Sequence, residues 1–393
     1  MRTDKGKISV KLWPKLALIC AVLVSLAGCW DSKPIQNMAY VTAIGLDYKD
    51  NQIILYAQVL NFLNVAKSEH FEIGKNVPVW IGRGTGKTIS EAMTSIYETS
   101  QLRVYWGHVK AIVCSEEILK EKETLRQAYD GINRYREIRY NVLLYGTKMP
   151  LTEILSQKSI FHFSPLDTIL DTPEDIFSQR SFVPPQYGYK IISEINELGR
   201  TPMLPSITIT KKVWTEDQTT APMFLIDGAF LINKNTRTQW FSEDDLKGVR
   251  WIQKKMKRSL INIPDSKKPL ASLILYKPRH SIQYYFENNE LRFKVIIKVS
   301  SYIDETMSDI SIKAMEKLAE TVVRDEVIST YEKGLETQTD TLNLLGELYR
   351  NAPRKWRELQ QEEGKLELKK STLGKVEVHV NIMHTGKYKG RSN

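Results

Sequence analysis

Cysteine is scarce in this chain: Cys20, Cys29 and Cys114 are the only three among 393 residues. Cys20 and Cys29 belong to the N-terminal run discussed below, which leaves Cys114 alone and excludes an internal disulfide framework. Cys114 closes the strand-like run Val109–Cys114 and reads as a buried free thiol rather than a nucleophile. Histidine is equally thin. His70, His108, His162, His280, His379 and His384 are scattered, no two at zinc-site spacing on a helix, so no metal site is expected. There is no G-x-S-x-G elbow and no Ser/His/Asp set that spacing would select. The carboxylate pairs Glu116-Glu117 and Asp244-Asp245 fall at expected helix starts, where the helix dipole already accounts for them. No apolar run reaches the roughly 20 residues that a membrane-spanning helix needs. No basic–aromatic signature points to nucleic acid. The sequence shows no repeat and no low-complexity tract.

One segment imitates a nucleotide site. Gly82-Arg83-Gly84-Thr85-Gly86-Lys87-Thr88 approaches G-x-x-x-x-G-K-[ST], but the residue five before Gly86, where glycine is required, is Ile81, so the motif fails by one position. The stretch reads instead as a glycine turn leading into a helix at Thr88. Catalytic, cofactor and metal residues are therefore all expected to be none.

What is present begins at the N-terminus. Arg2, Lys5, Lys7, Lys11 and Lys15 precede a short apolar run, Leu16 to Gly28, that ends in Leu26-Ala27-Gly28-Cys29. A charged start, a short apolar stretch and small residues before a cut site read as a secretory signal. Ending on cysteine makes it a lipobox, with Cys29 the expected lipidation site and first residue of the mature chain. Several acyl chains hold a protein at a membrane far more firmly than one. The formal charge is +10. The leader holds five of the basic residues and one acidic residue, so about +6 remains on the body as a solvated basic surface.

Along the body, Val41–Asp47 and Ile53–Leu60 read as a hairpin turned at Asp50-Asn51. Lys87–Thr99 has helical spacing, Val109–Cys114 is a strand, and Ser115 caps a helix opened by Glu116, Glu117 and Ile118. Asn141–Tyr145 is a strand, Leu151–Leu155 opens a helix, and Ile191–Leu198 is helical before Gly199. Ile207–Val213 is β-rich. The polar Thr215–Pro222 reads as a loop or boundary. Phe224–Ile232 is a strand, Asn233–Asn235 a turn, and Thr238–Phe241 the return strand. Ser242 with Asp245 reads as a capping box for a helix over Glu243–Gln253, and Pro264–Pro269 as a linker. Leu291–Val299 alternates, Ser311–Thr337 is a long amphipathic helix, and Val376–Ile382 alternates again. The fold class is α+β: several domains with mixed and antiparallel sheets and packed helices, after a cleaved lipoprotein signal peptide. The expected divisions are a signal peptide at 1–28, an N-terminal α/β domain at 29–205, a β-rich middle domain at 206–268 and a C-terminal α+β domain with long helices at 269–387.

Several stretches then fall into one pattern. Cys29-Trp30-Asp31 is followed by Ile35, Val41 and Ile44-Gly45-Leu46-Asp47. Gly86–Ala92 is followed by Gly107-His108-Val109-Lys110, and Arg136-Glu137-Ile138-Arg139 comes next. Gly228-Ala229-Phe230-Leu231 lies further on. Gln338, Asp340, Leu345-Gly346, Pro353 and Trp356 complete the set. Their order resembles the C-subunit lipoproteins of spore germinant receptors, over nearly all of the body. Thr341-Leu342-Asn343 departs from that pattern, which there often has a more apolar, glycine-containing run.

The resemblance implies a three-domain α/β body without enzymatic activity or cofactor, anchored through Cys29 to the outer face of the spore inner membrane. It implies partnership with the integral-membrane A and B subunits and a role in receptor assembly or signal transmission in germination. A substrate-binding lipoprotein of an importer would also open with a lipobox. It would carry two doubly wound lobes around a cleft, against which the alternating strands at 291–299 and 376–382 count. A membrane-tethered hydrolase would need a convergent nucleophile or metal set.

Overall fold

The computed structural model of the chain describes residues 38–60, 78–162, 164–232, 237–363 and 366–384, with scattered positions between 13 and 21. Cys29, the end of the apolar run and the expected Asn233–Asn235 turn lie outside the described residues. Residues 1–38 form a unit of their own, with helical positions at 13–15, 17–18 and 21. Among the described residues no helix is long and apolar enough to cross a membrane.

From Ala39 onward the chain forms one compact unit built on two sheets. Strands β1 (Met38–Lys49) and β2 (Gln52–Leu60) make the expected hairpin. Asp50 and Asn51 turn it with φ of 53° and 58°. Positive φ at both central positions is what a type I′ turn requires, and Asp and Asn tolerate it. β3 (Trp80–Gly86) adds antiparallel to β2. Helix α1 (Ile89–Tyr97) then turns Ile89, Ala92, Met93 and Ile96 onto the sheet. Side chains cap its start: Thr88 Oγ1 accepts from Glu91 N at 3.2 Å, and the Glu91 carboxylate accepts from Lys87 N, just before the cap, at 2.7 Å.

The glycines of Gly82–Gly86 are thus strand residues, not a turn. Their function is close approach: a Cβ on Gly84 would lie 1.9 Å from the Ala92 carbonyl oxygen. Only glycine lets α1 lie directly on β3.

β4 (Arg103–Tyr105) sits beside β1. β5 (Ala111–Ser115) runs parallel to β1, and Ser115 caps α2 (Glu116–Lys120) as expected. α3 (Lys122–Arg134) returns the chain to β6 (Leu143–Thr147), parallel to β5. Three short helices follow: α4 (Leu151–Ser156), α5 (Pro173–Gln179) and α6 (Gly188–Asn196). β7 (Met203–Glu216) joins parallel to β6, and β8 (Thr219–Leu231) and β9 (Gln239–Ser242) close the sheet antiparallel. The order is β3-β2-β1-β5-β6-β7-β8-β9, a parallel centre flanked by hairpins. Its two faces bury separate clusters. One holds Ile44, Leu46, Leu55, Trp106 and Leu144, and the other Val113, Tyr145, Ile154 and Ile207. Each such side chain contributes roughly 1.5–3 kcal/mol by leaving water.

Thr215–Pro222 is not a loop. Thr215 pairs with Thr220 and Glu216 with Thr219, so the strands run on as a two-stranded ribbon beyond the sheet. Residues 211–220 are exposed, and a ribbon wet on both sides loses the alternation that marks a strand.

The Ser242–Asp245 capping box is present, with Ser242 Oγ accepting from Asp245 N at 3.2 Å and Asp245 accepting from Ser242 N at 3.0 Å. It opens a turn and a 3₁₀ segment, Lys247–Ile252, instead of an α-helix. Gly248 lies mid-segment, against the backbone of Glu326 and Val327.

The second sheet has order β10-β11-β12-β13: β10 (Ser259–Ile263), β11 (Ala271–Glu287), β12 (Glu290–Thr306) and β13 (Leu373–His384). The expected alternation holds: Phe293, Val295, Ile297 and Val299 are buried. β12 is antiparallel to β11 and parallel to β13. Between β12 and β13 come α7 (Ile312–Leu335), capped by Ser311, α8 (Leu344–Asn351) and α9 (Pro353–Glu363). α7 packs Met315, Ala319, Val323 and Val327 into this core. Glu316 and Glu320, one turn apart on α7, accept from Ile382 N at 2.9 Å and Val380 N at 3.2 Å. The carboxylates thereby cover the outer edge of β13.

Candidate functional site

The residues singled out from the sequence are mostly local locks. Asp47 accepts from the Ser115 hydroxyl at 2.5 Å, tying the end of β1 to the cap of α2. Glu137 accepts from Trp106 N at 3.0 Å and pairs with Arg103 at 3.2 Å, holding the turn after α3 against the β4–β5 loop. In that loop the ring of His108 meets the edges of Tyr40 and Tyr105, at 5.3 and 5.8 Å between centroids. Its pKa is lowered, first by burial and then by Arg139 and Lys110. Gly228 lies where a Cβ would be 2.1 Å from the Phe241 carbonyl oxygen, which lets β8 and β9 close. Cys114 is fully buried, and burial pushes its thiol pKa up, away from nucleophilic use.

The C-terminal set behaves differently, because it reaches across the molecule. Asp340 is buried and accepts from Leu344 N at 3.0 Å and Leu345 N at 2.7 Å, starting α8. Burial raises its pKa to about 6 against the opposing pull of those backbone donors and of Arg200. The turn it shapes carries Asn343 in the left-handed region, φ 55°. Asn343 Oδ1 accepts from Thr201 N at 2.8 Å, and its Nδ2 donates to Thr201 O at 3.1 Å. Gly199, at φ 75°, is packed under Leu345 and Trp356. Beside them Arg350 grips Glu197 with two bonds, 2.6 and 2.9 Å. A second seam lies at Ser181, whose oxygen accepts from Lys257 N at 3.0 Å and Arg258 N at 3.1 Å. These bonds join the segments leading into β7 to α8 and Asn343 before it, and to the turn before β10.

Between the seams lies a polar cleft of about 370 Å³. Lys190, Arg200, Lys254, Lys255 and Arg350 line it, against Glu194 and Glu347. Arg200 Nε and His280 Nδ1, both at this cleft, are buried without a hydrogen-bond partner in the structure. The arrangement is that of a jointed interface with residual polar frustration. It brings no nucleophile to a base. Among the described residues no group of three or more His, Cys, Asp or Glu gathers as a metal site requires. The Asp340 and Leu345-Gly346 positions were visible in the sequence as part of a pattern. Their partners Thr201 and Glu197 were not, and no local signal marks them.

Residues 31–209 match the family described as the spore germination protein N-terminal domain, and residues 227–386 match the spore germination B3/GerAC-like C-terminal family. The chain belongs to the GerAC-like spore germination proteins. Within this family it is 24% identical to spore germination protein KC of Bacillus subtilis (strain 168), across 87% of this chain and 88% of that protein. It is 19% identical to spore germination protein B3 of the same organism, across 75% and 76%. The crystal structure of the GerBC protein superposes with a TM-score of 0.50 over 86% of this chain and 96% of that one, at 15% identity. The fold is thus shared.

Proposed function

We propose that this chain is the C subunit of a nutrient germinant receptor, anchored through lipid on Cys29 to the outer face of the spore inner membrane. It would act with the integral-membrane A and B subunits, without catalysis, in receptor assembly or signal transmission. The observation that carries this reading is the match of both family domains in their expected order, with the motif residues of each sited at structural locks or at the joint. A body stitched by Asn343–Thr201 and Arg350–Glu197 is suited to passing a displacement from one half to the other. An importer's binding protein would need two doubly wound lobes. The second sheet here, three antiparallel strands plus one parallel strand under α7, is not such a lobe.

The test is nutrient-triggered release of dipicolinic acid from spores whose only receptor operon includes this gene. Deletion should abolish the nutrient response and leave non-nutrient germination intact, and Cys29→Ala should reproduce much of that defect. A normal nutrient response in the deletion strain would overturn the reading.

A further inference from the structure

One end of the first sheet carries a feature that none of the locks uses. β1, β3, β5 and β6 all run in one direction and begin at that end. Val59 is in register with both Val41 and Trp80, and Ala43 is level with Ala111 and, through it, Leu143. The turns that feed these strands therefore gather beside Met38. Together with the first residue of β3 and the start of α6, they present large apolar side chains to solvent: Trp80 is 70% exposed, Tyr140 71%, Leu102 47% and Tyr189 45%. From β3 to β6 the face crosses four strand spacings, roughly 19 Å. It also carries exposed cations. Arg136 and Arg139 have no ion-pair partner among the described residues, and Arg103 is half-exposed beside Glu137. At the opposite end, the Lys49-Asp50 turn carries one charge of each sign and Glu116–Glu123 carries four acids against two bases.

Nine chain steps, with eight residues between, separate Cys29 from Met38. Even fully extended they reach about 30 Å, at roughly 3.3–3.6 Å per residue. The end of the sheet that bears the aromatic and basic side chains is thus the end held within that reach of the lipidated residue. Tryptophan and tyrosine favour the headgroup region, and arginines are drawn to anionic lipid.

We infer that this face, Trp80, Leu102, Tyr140 and Tyr189 with Arg136 and Arg139, rests on an anionic bilayer surface and sets the orientation of the body on the membrane. The inference rests on the lipid-anchor reading of Cys29. The tether limits distance, and the face fixes which way the joint and the distal β7–β8 ribbon point.

The experiment uses the full-length chain, purified with its native modification. It is placed in vesicles of phosphatidylcholine alone or with phosphatidylglycerol, and backbone hydrogen exchange is followed by mass spectrometry. Mass analysis of the N-terminal peptide reports acylation of Cys29 separately. The expected result is slowed exchange in residues 97–110 and 134–141 with phosphatidylglycerol, reversed by high salt, and no change in α7. Arg136→Gln and Arg139→Gln, both exposed and in no ion pair among the described residues, should each cut that protection about fivefold, the factor matching roughly 1 kcal/mol per basic residue at an anionic surface. An acylated chain whose two segments exchange alike in both vesicles would overturn the face and leave the anchor standing. An unacylated chain would overturn the anchor. Protection that appears only when the receptor's membrane subunits are added would make the face a protein interface and overturn the lipid assignment.

Discussion

Glu326 is the place where a single side-chain change should do most damage for a reason that can be worked out in advance. Its carboxylate, on α7, accepts from Arg250 Nη2 and from Trp251 Nε1, both at 2.6 Å. The side chains of Arg250 and Glu326 are 14% and 9% exposed, and Trp251 is fully buried. Together they fasten the 3₁₀ segment after β9 to the second core. Glu326→Ala strands a guanidinium and an indole N–H away from water, so it should cost about 3–5 kcal/mol, the usual penalty for halving a buried pair. Glu326→Gln keeps one acceptor and loses the charge, for roughly 2 kcal/mol. Arg250→Met combined with Glu326→Met removes both charges, and its cost should fall well below the sum of the singles, with coupling of about 2 kcal/mol. Urea unfolding of the wild type, Glu326→Ala, Glu326→Gln, the single variants Arg250→Met and Glu326→Met, and the double variant measures each value. A cost below about 1 kcal/mol for Glu326→Ala, or strict additivity in the double variant, would refute the account.

Three further outcomes are expected. Asp340 has a pKa near 6 when folded, above its unfolded value, so the folded chain holds that proton more tightly. Stability from this group is therefore present at acid pH and lost as pH rises through 6. Between pH 5 and 7 the wild type should lose about 1 kcal/mol that Asp340→Asn does not, measurable as a difference in the pH dependence of the urea midpoint. Gly84→Val drives a side chain into the Ala92 carbonyl and should destabilise by about 1–3 kcal/mol, while Gly82→Ala, with 3.3 Å to Ile96, should be much milder. Cys114 should stay unreactive to a thiol reagent at pH 8 until urea unfolds the chain, and fast labelling of the native protein would contradict its burial.

Local elements were legible because their signals are local. Asp50-Asn51, the Ser115 cap and the alternation of Phe293 to Val299 each specify backbone or burial within a few residues. Two readings failed where a single rule was applied without its surroundings. Gly82–Gly86 looked like a turn because glycine usually bends a chain, whereas here α1 needs a bare strand to lie on. Thr215–Pro222 looked like a loop because a ribbon exposed on both faces has nothing to alternate. Ser242 and Asp245 announced a capped start correctly, but Gly248 and its contact with α7 left only 3₁₀ turns. The joint was not legible at all. Asn343 and Thr201 lie 142 residues apart, and Arg350 and Glu197 153, and nothing near either partner points to the other.

β13 is synthesised about 65 residues after β12, yet it lies directly beside it for ten registered pairs. Until it arrives, β12 has only β11 as a neighbour, and Val378 and Val380 are missing from under α7. The second half of the molecule therefore has no finished state while the chain is still emerging. A product interrupted before Leu373 would not be a shorter working protein but one with an open sheet edge and a core without its last wall. Closure of this half is thus written into its strand order: the second sheet is complete only once the chain has been translated through β13.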